Sequence, residues 1–136
     1  MFVTRDSNLR KRLEVFGEVF APSSDGELVE LYHSANVLLY TSNREAFGLP
    51  LFEAMATGTP FITSHYPVLE ELIPDRLREF VLKQFDEENV LRLLRRLEDE
   101  DFRMEAVRKG RRLVEERYNL RHFLDEFYDA FMNLIR

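Results

Sequence analysis

Two glutamates lie on either side of a glycine and a proline in the middle of the chain. Glu45 belongs to a polar loop, Gly48 and Pro50 follow it, and Glu53 comes eight positions after Glu45. Pro50 predicts the first turn of a helix. The unpaired amides of such a turn are a natural seat for a phosphate, and Gly48 would let the backbone come close to it. The two carboxylates could then face that seat from different sides.

The same residues also fit a helix that binds nothing. Asp and Glu make up 25 of the 136 residues, so two glutamates at a given spacing are expected by chance. Helices commonly begin with Pro and end with Gly, and an acid near a helix start often serves only the helix dipole. On spacing alone, a ligand site and an ordinary capped helix both remain open.

Strands and helices alternate in the first half of the chain, which predicts an α/β fold with a Rossmann-like parallel sheet and flanking helices. The predicted strands span residues 1–4, 15–21, 37–40 and 59–63. The predicted helices span residues 7–13 and 50–57, with a further helix that starts at a capping box of Ser24 and Glu27. The four apolar residues at 37–40 are typical of a strand covered on both faces. Glu45 follows the carboxyl end of that strand, where open α/β sheets bind ligands.

The chain after Asp86 is predicted to form three helices, at about 86–98, 101–117 and 119–135. The last helix carries one apolar stripe, made of Leu120, Phe123, Leu124, Phe127, Tyr128, Phe131, Leu134 and Ile135. Because leaving this stripe in water is costly, we expect a homodimer through the stripe or through an unpaired strand edge at residues 1–3. The alternative is that the helix folds down onto its own domain.

Composition indicates a soluble globular protein of one domain, with 45% hydrophobic and 32% charged residues. The net charge of −6 disfavours nucleic acid as a partner. The sequence has no cysteine, no signal-peptide pattern and no apolar stretch of membrane-spanning length, so we expect a cytoplasmic protein. The basic residues after position 91 alternate with acids. They form either a solvated helix face or a patch that would hold the protein peripherally at an anionic membrane.

Residues 40–64 read YTSNREAFGLPLFEAMATGTPFITS. From Glu45 to Pro60 this segment, Glu-x-Phe-Gly-Leu-Pro-x-x-Glu-Ala-Met-Ala-x-Gly-x-Pro, resembles the E-x7-E signature of family 4 retaining glycosyltransferases with the GT-B fold. The lead-in GEVFAPSSDGELVELYHSANVLLYTS and the close GRRLVEERYNLRHFLDEFYDAF are similar to the same family. The resemblance implies the C-terminal half of a GT-B fold without its first strand–helix unit. It would be a single partial domain over 1–136, with a donor-binding α/β part at 1–85 and C-terminal helices at 86–136.

The resemblance also implies roles for five residues. Glu53 would hold the ribose of a nucleotide, because a carboxylate accepts hydrogen bonds from two adjacent hydroxyls. Glu45, as the catalytic residue, would contact the transferred sugar, and the amides around Phe47, Gly48 and Leu49 would meet the sugar and the diphosphate. The implied donor substrate is a UDP- or GDP-sugar, with no cofactor and no bound metal. The implied reaction is retaining transfer of a hexose to an acceptor that the sequence does not identify.

The chain departs from the family pattern where the family binds phosphate. The Gly-Arg loop and the Lys-bearing helix that open the family's domain have no counterpart, and Thr-Arg-Asp at residues 4–6 replaces a Gly-x-Gly turn. Arg5 is either a phosphate ligand or a surface residue. Pro-Val at residues 67–68 replaces a Gly-Gly turn, and residues 75–79 replace a glycine-containing loop. Backbone access to a phosphate is therefore reduced at two places.

Two further side chains have open roles. Glu71 matches an acid of the family pattern but fits a helix start equally well. His65, after the strand at 59–63, is either a donor contact or a surface residue, and no pair of histidines has metal-ligand spacing. Two functions consequently remain open. The chain is the donor-binding domain of a glycosyltransferase, completed by an N-terminal Rossmann-like domain or by a partner chain, or it is a degenerate relative that serves as a binding or scaffold subunit.

Overall fold

The computed structural model describes residues 1–4 and 6–134. Contacts divide the chain into two compact units, residues 1–34 and residues 35–136. The sequence, in contrast, predicts a functional division at residue 85, and that division stays a prediction. Arg5 and Ile135 lie outside the described residues, so the structure does not test the role considered for Arg5.

The first unit contains a two-stranded parallel sheet and two helices. Its elements are β1 Phe2–Val3, α1 Ser7–Leu13, β2 Val19–Phe20 and α2 Asp25–Ser34. Helix α1 has the predicted bounds because the Asp6 carboxylate accepts hydrogen bonds from the amides of Asn8 and Leu9, at 2.8 and 3.0 Å. The strand predicted at 15–21 is shorter than expected, since Val15 and Phe16 form an exposed turn.

The second unit contains a three-stranded sheet and most of the helices. Its elements are β3 Leu38–Tyr40, α3 Leu49–Thr57, β4 Phe61–Ser64, α4 Leu69–Leu72, a 3-10 helix Asp75–Phe80, β5 Val81–Leu82, α5 Glu87–Leu97, α6 Glu100–Arg117 and α7 Leu120–Leu134. Strand β4 lies in the centre and pairs in parallel with β3 and with β5. The predicted parallel sheet with flanking helices is confirmed, whereas α4, the 3-10 helix and β5 have no counterpart in the predicted elements.

The core of the second unit forms where α3 and α6 pack together beside β4. All four residues of β4 are buried, as are four residues of α3. Helix α6 approaches α3 closely because Gly110 has no side chain, and a Cβ at this position would lie 3.1 Å from Cγ of Met55. Asp86 and Asp99 cap α5 and α6 by accepting hydrogen bonds from the amides of Asn89 and Phe102. This packing gives α3 a fixed position.

Two apolar surfaces remain exposed in the second unit. Leu38 and Tyr40 pack against the core, but Leu39 points to the opposite face of β3 and is 45% exposed, so the prediction of a strand covered on both faces is wrong. The apolar stripe of α7 is also exposed. The structure therefore does not show the alternative in which this helix folds down onto its own domain and buries the stripe there. None of the helices within residues 1–4 and 6–134 combines the length and apolar composition that a membrane-spanning helix needs.

Candidate functional site

The carboxylate of Glu45 is held by two hydroxyl groups. The Tyr40 hydroxyl donates to Oε1 of Glu45 at 2.6 Å, and the Ser42 hydroxyl donates to the same oxygen at 2.8 Å. We call these three residues the Glu45 clamp. Both donors come from the segment that ends β3 and opens the following loop. Their geometry leaves the second carboxylate oxygen of Glu45 without a hydrogen bond among the described residues.

The loop of the Glu45 clamp is tied to the neighbouring strand. Tyr40, at the end of β3, is in register with Thr63 of the parallel strand β4. One residue later, the Ser64 hydroxyl donates to the main-chain carbonyl of Ser42 at 2.5 Å. The carboxyl ends of two parallel strands therefore meet at this loop, which is where ligands bind in open α/β sheets.

Electrostatics keep the Glu45 carboxylate ionised and the nearby phenols protonated. The hydrogen bond from Tyr40, and then that from Ser42, hold the pKa of Glu45 below its ordinary value. Burial raises the pKa of Tyr40, and its hydrogen bond to Glu45 raises it further. Burial, with the negative charge of Glu45 as a second cause, raises the pKa of Tyr66 to about 12. At neutral pH, Tyr40 is thus a hydrogen-bond donor to a charged acceptor, which is a strong type of hydrogen bond.

The turn before α3 requires glycine. Gly48 has φ 84° and ψ 53°, in the left-handed region that other residues rarely adopt. The Tyr66 hydroxyl donates to the carbonyl of Phe47 at 3.2 Å and lies against Gly48, where a Cβ would overlap it. Tyr66 therefore fixes the turn from the segment after β4. Helix α3 then begins at Leu49, which is 61% exposed, and Pro50 supplies no amide to its first turn.

The side chain of Phe47 anchors the loop in an aromatic cluster. Its ring stacks on Phe52 with centroids 4.5 Å apart and meets the edge of Tyr118 at 5.6 Å. Tyr118 follows α6, and its hydroxyl donates to the carbonyl of Leu72 at 2.8 Å. Because the ring and the carbonyl of Phe47 are both engaged within the protein, only its amide is left for a ligand.

The other predicted site residues have separate surroundings. Glu53 is half-buried on α3, and its main-chain carbonyl accepts a hydrogen bond from the Thr57 hydroxyl at 2.9 Å. His65 contacts Glu70 at 3.0 Å, so its ring already has an acidic partner within the chain. Glu71 is exposed in the first turn of α4, which fits the helix-start interpretation. The structure thus brings Glu45, Phe47 and Gly48 together through two tyrosines, and it pairs His65 with a surface acid.

The glycine positions of the family pattern have regular structure in this chain. Val68 has helical φ and ψ directly before α4, and residues 75–80 form the 3-10 helix. Arg78 in this helix contacts Asp75 at 3.0 Å, and Glu79 contacts Arg96 at 3.1 Å. The backbone there is engaged in helical turns and offers no open loop to a ligand. In the part of the chain that the structure describes, no group of three or more acids and histidines could hold a metal ion.

Four residues of the site have no role in the sequence-based prediction: Tyr40, Ser42, Ser64 and Tyr66. Tyr40 and Ser42 stand five and three positions before Glu45, close enough for local hydrogen bonds, and this spacing is a usable signal. Ser64 could have been found from its position at the carboxyl end of the adjacent parallel strand. Tyr66 lies 19 positions after Phe47, and nothing in the local sequence indicates its contact with the Phe47 carbonyl.

Comparison with known proteins gives consistent matches. The model of the family described as glycosyl transferases group 1 matches residues 5–113. The O-antigen chain mannosyltransferase RfbU of Salmonella typhimurium is 41% identical over 68 residues, which are 50% of this chain and 18% of that protein. Sucrose-phosphate synthase from Thermosynechococcus elongatus superposes with a TM-score of 0.79 at 23% identity, over 97% of this chain and 36% of its own.

A second solved structure has the same fold. The C-terminal domain of a glycosyl transferase group 1 family protein from Francisella tularensis superposes with a TM-score of 0.67 at 23% identity, over 85% of this chain and 65% of that domain. Both solved structures support the fold. The matched residues span about a fifth of the length of RfbU and about a third of that of sucrose-phosphate synthase.

Proposed function

The chain belongs to the glycosyl transferases group 1 family, and from this premise we propose that it is the donor-binding domain of a retaining glycosyltransferase. The donor is a UDP- or GDP-sugar, and the reaction transfers its hexose to an acceptor. Membership of the family supports glycosyl transfer itself. The nucleotide, the stereochemistry and the assignment of residues rest on the E-x7-E resemblance and on the geometry around Glu45.

The observation that carries the proposal is the clamped Glu45 at the carboxyl ends of two parallel strands. An ionised carboxylate with one oxygen already engaged offers its other oxygen to a sugar hydroxyl. Gly48 and Leu49 place main-chain amides at the start of α3, where a helix N-terminus favours a diphosphate. Glu53, within the first turns of the same helix, accepts hydrogen bonds from the ribose hydroxyls.

The chemistry assigned to this chain is positioning and charge stabilisation. In a retaining transfer, the bond between the anomeric carbon and the diphosphate oxygen breaks, the oxygen of an acceptor hydroxyl bonds to the same face of the anomeric carbon, and the hydroxyl proton passes to the departing diphosphate. Positive charge develops on the sugar ring in the transition state. A fixed carboxylate beside the sugar stabilises that charge, and the amides of the α3 start stabilise the departing diphosphate. The donor site requires neither a resident metal nor a cofactor in this proposal.

The acceptor site belongs to a part of the protein beyond this chain. RfbU and sucrose-phosphate synthase are each roughly three times as long as this chain. An N-terminal Rossmann-like domain, or a partner chain with that fold, would face the donor site and complete a cleft between them. We place the whole enzyme in the cytoplasm, with peripheral membrane contact where its acceptor is a lipid.

The second candidate function is a degenerate relative that binds without catalysis. The observation in its favour is the regular structure at residues 67–68 and 75–80, where the family pattern has glycine loops. A backbone engaged in helical turns approaches a phosphate or a base less closely. In this case the Glu45 clamp would be retained as a binding site for a sugar or a scaffold partner.

Calorimetric titration tests the donor site. The chain would be titrated with GDP-mannose and with UDP-glucose, and with GDP and UDP alone. Saturable binding of a nucleotide-sugar supports the donor site. Glu53→Ala should weaken both nucleotide and nucleotide-sugar by roughly 1.5–3 kcal/mol, the scale of a hydrogen bond to a charged group. Glu30→Ala, an exposed glutamate on α2, is the matched control and should bind as the wild type does. If neither nucleotide-sugar binds, the donor-site assignment is wrong.

A further inference from the structure

The Glu45 clamp has a geometry that goes beyond a simple hydrogen bond. The hydroxyl groups of two side chains of different length, Tyr40 and Ser42, donate to the same oxygen of Glu45, Oε1, at 2.6 and 2.8 Å. A carboxylate bound only to solvent in an exposed loop would rotate among its rotamers, and fixing it on binding would cost entropy. In this chain, the orientation of Glu45 is set before any ligand arrives. One oxygen is occupied and the other has a defined direction.

The two donors are themselves held in place, so the clamp is part of the folded protein. Tyr40 packs against the core, and its ring meets the ring of Tyr66 edge to face at 6.5 Å and 73°. The main chain of Ser42 is tied to β4 by the hydrogen bond from Ser64. A preorganised charged group lowers the cost of binding because no reorganisation is needed when the ligand arrives.

We propose that Tyr40 and Ser42 are positioning residues of the donor site, which hold Glu45 so that its second oxygen meets the transferred sugar. This inference rests on the proposed function. Tyr40 and Ser42 act through Glu45, and their effect falls on the sugar part of the donor. The nucleotide part is bound by Glu53 and by the start of α3, so the affinity for a free nucleotide diphosphate does not depend on the clamp.

The test uses two variants that remove one hydroxyl each, Tyr40→Phe and Ser42→Ala. Their matched controls are Tyr128→Phe, on the exposed face of α7, and Ser34→Ala, whose hydroxyl donates to a main-chain carbonyl in α2. Two quantities are measured for each variant. The pKa of the Glu45 carboxyl is followed by NMR in the free chain, with Glu45→Gln to assign its signal. The dissociation constants of GDP-mannose, UDP-glucose, GDP and UDP are measured by calorimetry.

Each clamp variant should raise the pKa of Glu45 toward its ordinary value, with the larger rise in Tyr40→Phe. The dissociation constant of the nucleotide-sugar should rise about five- to tenfold, while that of the nucleotide diphosphate stays unchanged. The control variants should change neither quantity. A general loss of structure would weaken the binding of both ligands, so it does not produce this difference between the two dissociation constants. A variant with a lowered urea midpoint is set aside, and the other clamp variant then decides.

Two outcomes overturn the inference, and they are distinct. If the wild-type chain binds a nucleotide-sugar and both clamp variants bind it equally well, Tyr40 and Ser42 do not position Glu45 for the sugar, and the proposed function stands. If the wild-type chain binds no nucleotide-sugar, the proposed function fails and the inference fails with it. In that case, an altered pKa of Glu45 in Tyr40→Phe would show only that the clamp exists in solution.

Discussion

The hydroxyl of Tyr66 lies in the space that a side chain on Gly48 would need. Tyr66 stands after β4 and Gly48 stands before α3, so one contact joins the two segments that follow neighbouring strands. The same hydroxyl donates to the carbonyl of Phe47. The turn that carries Glu45 toward α3 is therefore fixed by a buried tyrosine as well as by its own backbone.

Gly48→Ala should destabilise the chain by about 2–3 kcal/mol. The left-handed backbone costs roughly 1–2 kcal/mol for a residue with a Cβ, and the new methyl group displaces Tyr66. Urea unfolding measures the change. Gly26→Ala is the matched control because Gly26 lies in α2, where a Cβ would make only an ordinary contact with the Ser24 hydroxyl at 3.9 Å, and this variant should be neutral or slightly stabilising. A Gly48→Ala variant as stable as the wild type would contradict the turn geometry.

Glu45→Ala should affect the two parts of a donor differently. Its carboxylate is assigned to the sugar, so the affinity for a nucleotide-sugar should fall by roughly 1.5–3 kcal/mol. The affinity for the free nucleotide diphosphate should stay within about twofold of the wild type. Glu53→Ala, in contrast, should weaken both ligands. Calorimetry with each pair of ligands measures this difference, and an equal loss for both ligands in Glu45→Ala would place Glu45 at the nucleotide.

The stability of the chain should fall at alkaline pH in a way that depends on Tyr66. Its pKa is about 12 in the folded chain and near 10 in the unfolded chain. Below pH 10 both states keep the proton, so the contribution is complete. Between pH 10 and about 12 only the unfolded state loses it, and the free energy of unfolding decreases. Tyr66→Phe should show a shallower decrease over this range in urea titrations, and an identical slope would refute the assignment.

The sequence predicts the segments whose signals are local. Helix α1 has the predicted bounds because Asp6 is a strong N-cap, and α3 starts within one residue of the prediction because Pro50 marks its first turn. Strand β5 has only two residues, too few for a pattern of alternation. The position of Glu45 after β3 is readable from the chain. Its hydrogen bond with Tyr40 is harder to predict. The spacing of the two residues allows the contact, but it does not tell which way the side chain of Glu45 turns in the loop.

Contacts between distant residues account for most of what the sequence does not predict. Tyr118 packs against Phe47 and Phe52 although more than sixty positions separate them in the chain. The apolar stripe of α7 shows the converse case. Its periodicity predicts the helix correctly. A local pattern does not tell, however, which surface covers the stripe, and the stripe is exposed in this structure.

The 136-residue chain should transfer no sugar to an added acceptor. It spans about a third of the length of sucrose-phosphate synthase, and the acceptor side of the cleft is assigned to another domain. Slow hydrolysis of a bound nucleotide-sugar is the most that the donor site alone should support. Release of nucleotide diphosphate, measured with and without simple sugar acceptors, checks this. Robust transfer by the purified chain would show that an acceptor site lies within these residues.

The exposed stripe of α7 should make the chain self-associate as a two-fold dimer. Leu120, Phe123, Leu124, Phe127, Tyr128, Phe131 and Leu134 are between 51% and 84% exposed. Burying an apolar side chain of this size is worth roughly 1.5–3 kcal/mol, so several of them together exceed the cost of association. The stripe is continuous along four turns of one helix. A second copy can therefore pack its own stripe against it, and the two apolar stripes are then both buried.

Sedimentation velocity at increasing micromolar concentration measures this association. The wild-type chain should shift from monomer to dimer, because mass action favours the dimer as the concentration rises. Phe127→Glu, in the centre of the stripe, should hold the chain as a monomer by placing a charge in the contact. Met104→Glu is the matched control, since Met104 is an exposed apolar residue on α6 and is 41% exposed. It should dimerise as the wild type does. A wild-type chain that stays monomeric at all concentrations would mean that a second copy does not cover the stripe.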